Sequence, residues 1–346
     1  MNPMNKRAKF GVNLVTYAGG GDMTYDDPFY ENIDWQTTVN LTNTIESLQY
    51  DSMWICDHFM FGKHDAIFEC WTSLSYLAAL THSIKLGTWV LCNSYRNPAL
   101  VAKMASTLEI ASGGRLYLGI GAGWNEKEYR AYGYRFLPPR ERIQALRESL
   151  RIIKSLWTEP KVTYGGNYSS TNEATCNPKP TRAPVIMVGC FGNKMLRLTS
   201  ELADAWCIAG SAGSYEDPSP EIFRERSNYI DKCCMELGRN PNEIERITQG
   251  HVLLDTDVNR YKKRTEDYKN RIAQAIDSGQ MPKVDIDRMV ESFIHGSSSE
   301  CITQMNDLID AGAEHFILYF VDFPDSRMME LFAKYVIPNV KPIQSK

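Results

Sequence analysis

Short apolar runs recur along this chain, each trailed by a longer stretch with helical spacing, and that alternation leaves few folds open. The runs are Lys9–Val15, Ser52–Asp57, Ile84–Leu91, Leu116–Ile120, Val185–Val188, Ala205–Ala209, Ile247–Leu254 and His315–Phe320. Helical patterns follow near Trp35–Leu48, Trp71–Leu80, Asn97-Pro98 onward, Arg140–Leu156, Lys194–Leu202, Glu221–Leu237, Ser298–Ala311 and Met328–Val336. Proline in the first turn, as at Pro98, suits a helix start. Strand–helix repeats imply parallel strands with right-handed crossovers, and near-continuous apolar strands imply a sheet covered on both faces. A (β/α)8 barrel is the expected closure, with a doubly wound open sheet as the competitor. The whole chain, 1–346, reads as one α/β domain, since such barrels hold this length without a second core. Two insertions interrupt the pattern. One is the Gly/Pro/Asn-rich stretch VTYGGNYSSTNEATCNPKPTRAP near 160–184, which suggests a hairpin; the other, near 255–295, contains the charged helical region Asn259–Ser278.

Composition narrows the partners. The 346 residues are 43% hydrophobic and 23% charged, with a formal net charge of −4, and nucleic-acid binders instead cluster Lys and Arg on one face. The densest basic run, Arg260–Arg264, is broken by Tyr261 and followed by Glu266 and Asp267, as in a solvated helix face. Nine cysteines, an odd number, include several inside apolar runs and no CxxC pair; they read as buried, reduced thiols of a cytoplasmic protein. The N-terminus MNPMNKRAKFGVNLV has no signal-peptide pattern, and no apolar run reaches about 18 residues, so no membrane span is expected.

Barrel sites lie at the C-terminal ends of the strands, which directs attention to Asn13, to the pair Asp57-His58, to Trp89, Val90 and Cys92, to Gly121 and Trp124, and to Gly189–Lys194. An imidazole at a strand tip can exchange protons near neutral pH, with the neighbouring acid orienting a partner; alternatively Asp57 caps the following turn and His58 packs. In GCFGNK, Gly189–Lys194, an apolar strand turns into a helix, a junction whose free N–H groups favour phosphate. The stretch GGRLYLGIGAGWNEKEYRAYG, residues 113–133, is not a dinucleotide fingerprint. Its glycines alternate at 119, 121 and 123, and Trp124 occupies the sixth position of the motif. Alternation puts the three on one face, where they either leave room for a flat ligand or permit close packing inside the barrel. His64 follows His58 without a ligand set of metal spacing, so no metal is expected. His82, His251, His295 and His315 fall at element edges and read as structural.

These pieces together resemble the luciferase-like monooxygenase superfamily, in its F420-dependent oxidoreductase branch. The resemblance rests on DSMWICDHFM (51–60), on residues 84–136 from IKLGTWVLCNSYRNPALV through GGRLYLGIGAGWNEKEYRAYGYRF, on ERIQALRESLRIIKSLWTE, on the YGGNY and NPKP segments, and on VIMVGCFGNKMLRLTSELADAWC. It implies a (β/α)8 barrel binding coenzyme F420, or alternatively FMN, at its C-terminal mouth. The ring would lie against a bulge near Trp89-Val90 holding a non-prolyl cis peptide, with Cys92 and Gly121 beside it. The phosphate would sit at Gly189, Cys190, Phe191, Gly192, Asn193 and Lys194. Asp57 would contact the ring and His58 would transfer a proton, while Asn13 and Trp124 would line the substrate pocket. The implied reaction is hydride transfer between deazaflavin C5 and a small organic substrate. Rival readings are an FMN-dependent monooxygenase using O2 and a non-catalytic cofactor-binding barrel. A homodimer is implied, with a flavin or F420 reductase as possible electron supplier. One departure is informative. F420-dependent glucose-6-phosphate dehydrogenases carry a catalytic Glu where this chain has Trp124 and a phosphate-binding Lys where it reads AGSAGS, 209–214, which makes that sugar phosphate a poor candidate; Trp124 and Trp89 make the mouth more apolar, which fits a flat or hydrophobic organic substrate.

Overall fold

A computed structural model describes residues 6–18, 34–208, 216–278 and 281–343. Its first half runs β1 (Lys9–Asn13), α1 (Trp35–Ser47), β2 (Ser52–Ile55), α2 (Cys70–Leu80), β3 (Lys85–Thr88), β4 (Leu91–Cys92), α3 (Pro98–Ala111), β5 (Leu116–Gly121), α4 (Glu126–Ala131) and α5 (Pro139–Thr158). The hairpin β6 (Val162–Gly165) and β7 (Ser170–Ala174) follows, and then β8 (Val185–Cys190), α6 (Asn193–Leu202), β9 (Ala205–Ile208) and α7 (Pro220–Glu236). The chain ends with β10 (Glu245–Leu254), α8 (Val258–Asp277), α9 (Ile286–Glu291), β11 (Ile294–Gly296), α10 (Ser298–Asp310), β12 (His315–Phe320) and α11 (Arg327–Tyr335).

The strands pair in the order β1-β2-β3-β5-β8-β9-β10-β12, all parallel, and β12 returns to β1 with Lys9 opposite His315. That last pairing closes the barrel and removes the doubly wound alternative. β11, which the sequence did not suggest, adds to β10 outside the ring. The third expected strand is split: Trp89-Val90 bulges out between β3 and β4, and β4 pairs with β5 through Leu91 and Cys92. The hairpin is antiparallel, and the Glu148 carboxylate accepts from the N–H groups of Asn167, Tyr168 and Ser169 in its turn.

Local chemistry sets the helix starts. Asn97 accepts from Ala99 N at 2.9 Å just before Pro98. Ser297 and Glu300 form a reciprocal capping box on α10. Glu46 accepts three consecutive N–H groups, His82, Ser83 and Ile84, tying α1 to the turn before β3.

One apolar core lies between the sheet and the helices; a second fills the barrel, built from Trp54, Tyr117, Met187, Cys207, Ile247 and Ile317. The indole of Trp54 fits because β1 and β3 present glycines to it: a Cβ on Gly87 would fall 2.0 Å from the ring, and one on Gly11 2.7 Å from Nε1. Below it a polar cluster seals the N-terminal end of the barrel. Glu245 accepts from Lys9 at 2.7 Å and from Tyr117 at 3.0 Å, and Ser52 bonds both His315 and Trp54. Among the described residues no helix is long and apolar enough to cross a membrane.

Candidate active site

Above the Trp54 layer, at the C-terminal ends of the strands, the barrel opens into a cavity of about 720 Å³, within the size range of small-molecule sites. Most of the residues singled out in the sequence meet there: Asn13, Asp57, His58, Trp89, Val90, Cys92, Gly121, Trp124, Gly189, Cys190 and Phe191 all line it. Gly192, Asn193 and Lys194 lie just beyond the wall, where Gly192 caps α6 and all three are exposed.

Asp57 is buried, and its carboxylate is already engaged. Arg96 clamps both oxygens, at 2.7 and 2.8 Å, and Cys92 N donates to Oδ2 at 2.8 Å. A third bond from Arg96 reaches Glu69, which caps α2. Burial works against the Arg96 guanidinium, but Asp57 and Glu69 hold its pKa above the ordinary value. In this arrangement Asp57 ties the β2 tip to the segment after the bulge, and bidentate pairing fixes both ends.

His58 projects from the same tip and is differently held. Its Nδ1 lies 2.8 Å from Glu128 Oε2, and its ring stacks on Phe61 at 4.4 Å and meets Trp124 edge-on at 5.6 Å. Glu128, on α4, is fully buried; its carboxylate also accepts from Phe59 N, Met60 N and Tyr95 Oη. Burial raises the Glu128 pKa, but the bonds from His58 and the two amides outweigh it and hold the carboxyl below its ordinary value. A carboxylate on Nδ1 orients the ring and leaves Nε2 for chemistry.

The Trp89-Val90 peptide bond is cis, where the resemblance located it. Val90 is seated between two strands that lack side chains at that level: a Cβ on Gly121 would lie 2.9 Å from Val90 Cγ2, and one on Gly189 3.0 Å from Cγ1. The alternating glycines of residues 119–123 therefore do not simply leave space for a ligand. Gly119 is packed inside the barrel, where a Cβ would lie 1.9 Å from the Thr88 carbonyl oxygen; Gly121 admits Val90; and Gly123, at φ +80°, lies under the Tyr129 hydroxyl. Of the three, Gly121 and Gly123 border the cavity.

At the β8 corner the first turn of α6 is flanked by cations. Arg226 of α7 donates to Asn193 Oδ1 at 3.0 Å with its guanidinium 4.7 Å over the Phe191 ring, and Lys194 is exposed beside it. Three cavity thiols are poor nucleophiles: burial pushes Cys92 up to about 11 and Cys190 and Cys207 up to about 12. No cluster suited to a metal occurs among the described residues.

Sequence reasoning missed the opposite wall. His251, read as structural, lines the cavity from β10 beside Gln249. Its Nδ1 lies 3.0 Å from Asp217 Oδ1 and its backbone N–H donates to Oδ2 at 2.5 Å; the ring lies between Phe293 and Tyr319. Gln249 and His251 are polar residues two apart in an apolar strand, so they share a face, and that spacing was the available signal. Glu128 had a weaker one, four residues after Trp124 at the start of a helix.

A closed parallel barrel with an imidazole, a bulged strand and a cation-flanked helix start around one mouth is the framework of a cofactor-binding (β/α)8 enzyme. The chain belongs to the luciferase-like monooxygenase family, whose model matches residues 8–315. It is 28% identical over 308 residues to a protein of Kineococcus radiotolerans named F420-dependent glucose-6-phosphate dehydrogenase, covering 84% of this chain and 89% of that one. It is 27% identical over 364 aligned residues to the 5,10-methylenetetrahydromethanopterin reductase of Archaeoglobus fulgidus, covering 96% and 100%. Among solved structures, an F420-dependent secondary alcohol dehydrogenase in complex with an F420-acetone adduct shares the fold with a TM-score of 0.76 at 20% identity, covering 97% and 99%.

Proposed function

We propose that this protein is an F420-dependent oxidoreductase that moves a hydride between the deazaflavin and a small organic substrate, with His58 exchanging the accompanying proton. The observation that carries the reading is the His58 imidazole, braced by buried Glu128 at the mouth of the barrel and beside the wall formed by Val90, Gly121 and Gly189. Relatives named for F420 and for a methanopterin reductase support it. The residues present fit such a cofactor: Val90 between two glycines gives a wall without projecting side chains, and the α6 start with Lys194 and Arg226 suits a phosphate. When bound, the deazaflavin supplies the hydride chemistry.

The chain does the rest. Asp57, through Arg96 and the Cys92 amide, holds the bulge in position. Glu128 fixes the His58 ring by its Nδ1 so that Nε2 is directed to the proton that is gained or lost. The surrounding aromatic side chains exclude water. The reading carries a cytoplasmic location, which the nine free, buried cysteines fit, and self-association, which the exposed Tyr76, Leu100 and Ile110 on α2 and α3 fit. The test is anaerobic turnover of candidate alcohols and carbonyl compounds with F420, in the protein and in His58→Ala. Turnover that requires F420, needs no oxygen and falls in the variant supports the reading. Turnover only with reduced FMN and oxygen overturns it.

A further inference from the structure

We infer that the substrate half of the cavity selects by charge: it takes a flat, uncharged organic molecule and rejects the anionic form of the same shape. The inference rests on the reading of the cavity as the active site and goes on to name its substrate class. Its basis is the wall itself. Four carboxylates line the cavity, Asp57, Glu128, Glu216 and Asp217, and none of the described lining residues is Lys or Arg.

The described cations nearby are either paired with carboxylates or stand outside the wall. Arg96 clamps Asp57 and Glu69, and Arg288 pairs with Glu216 at 3.0 Å from a largely exposed position. Arg226 and Lys194 stand at the β8 corner, outside the lining residues. An anion brought against this wall would lose its hydration and gain no opposite charge, which is the arrangement that rejects one partner while leaving another unaffected.

What the wall does offer is apolar surface and a few neutral hydrogen-bonding groups. Tyr17, Phe61, Trp89, Trp124, Phe191 and Tyr319 supply flat faces. Across from His58 the half-buried Gln249 amide and the Asp217-held His251 supply polar contacts. Such a set matches a planar body with an amide, hydroxyl or carbonyl end.

A shape-matched pair tests the inference. 2-Naphthamide and 2-naphthoate are titrated calorimetrically into the F420-saturated protein, and again into cofactor-free protein in excess inorganic phosphate, added as a competitor for anion sites such as the β8 corner. In both arms the amide is expected to bind at least about tenfold more tightly than the carboxylate. Gln249→Lys, which adds one cation to the wall, is expected to bring the naphthoate Kd to or below that of the amide. Equal or tighter binding of naphthoate by the unmodified protein overturns the inference, as does failure of both probes to bind. Failure of F420 to bind contradicts the proposed function alone, because the phosphate arm still reads the charge preference.

Discussion

Nδ1 of His58 lies 2.8 Å from Oε2 of Glu128, a carboxylate with no exposed side-chain surface and three other hydrogen-bond donors around it. A carboxylate so satisfied is a fixed anchor, and under the proposed function the imidazole it holds exchanges the proton. Glu128→Gln keeps the shape but sets an amide of indeterminate orientation against the ring. Turnover is expected to fall about tenfold or more, and in His58→Ala by roughly 100-fold, with cofactor Kd little changed in either. Steady-state rates set against a cofactor titration separate the two quantities. Full activity in both variants would return His58 to a packing role.

Asp57, the residue before His58, has Arg96 as its counter-charge. Removing the arginine leaves a buried carboxylate with the Cys92 N–H but no counter-charge, and breaking a buried ion pair in this way costs about 3–5 kcal/mol in folded proteins. Arg96→Met should therefore lower the denaturant midpoint strongly, and Arg96→Met combined with Asp57→Asn should recover much of the loss. A midpoint unchanged in the single variant would show that the pair contributes nothing.

Val90 occupies the space that Gly121 and Gly189 leave open, and its branched side chain has little rotamer freedom to retreat. Gly121→Ala puts a methyl 2.9 Å from Val90 Cγ2 and is expected to weaken cofactor binding by displacing the wall. Adding Val90→Ala should restore it. If the double variant binds no better than the single one, the defect lies in β5 itself.

Stability toward acid should depend on Glu46. Burial raises its pKa, but the N–H groups of Ser83, His82 and Ile84 bring it from 4.5 down to about 2. A depressed carboxyl pKa stabilises the folded state above the unfolded value, and that contribution is lost as pH falls from about 4.5 through about 2. Glu46→Gln should cost on the order of 1 kcal/mol at neutral pH, small because the group is partly solvated, and almost nothing near pH 2. Denaturant melts across that range check the sign. A penalty that grows with acidity would contradict it.

The eight strand–helix units were legible because buried parallel strands are apolar runs and each is followed by a helical period. The hairpin announced itself through Gly, Pro and Asn. Contacts closed by the tertiary fold were not visible. Arg96 reaches Asp57 across 39 positions, and Asp217 meets His251 across 34; no local pattern marks either pair. The alternating glycines illustrate a different limit. Gly119 and Gly121 lie two apart in β5, while Gly123 falls past its end at positive φ, and what meets the three (the Thr88 carbonyl, Val90 and the Tyr129 hydroxyl) comes from other segments. The break in the third strand followed from family resemblance, since Trp89 and Val90 are good strand formers.

One measurement addresses the cofactor directly: anaerobic titration of the protein with F420 and, separately, with FMN, followed by absorbance and fluorescence. Expected under the proposed function is saturable F420 binding that is weakened by Lys194→Ala and by Gly121→Ala, with FMN bound much more weakly. Tight binding of FMN with no detectable binding of F420 would contradict it.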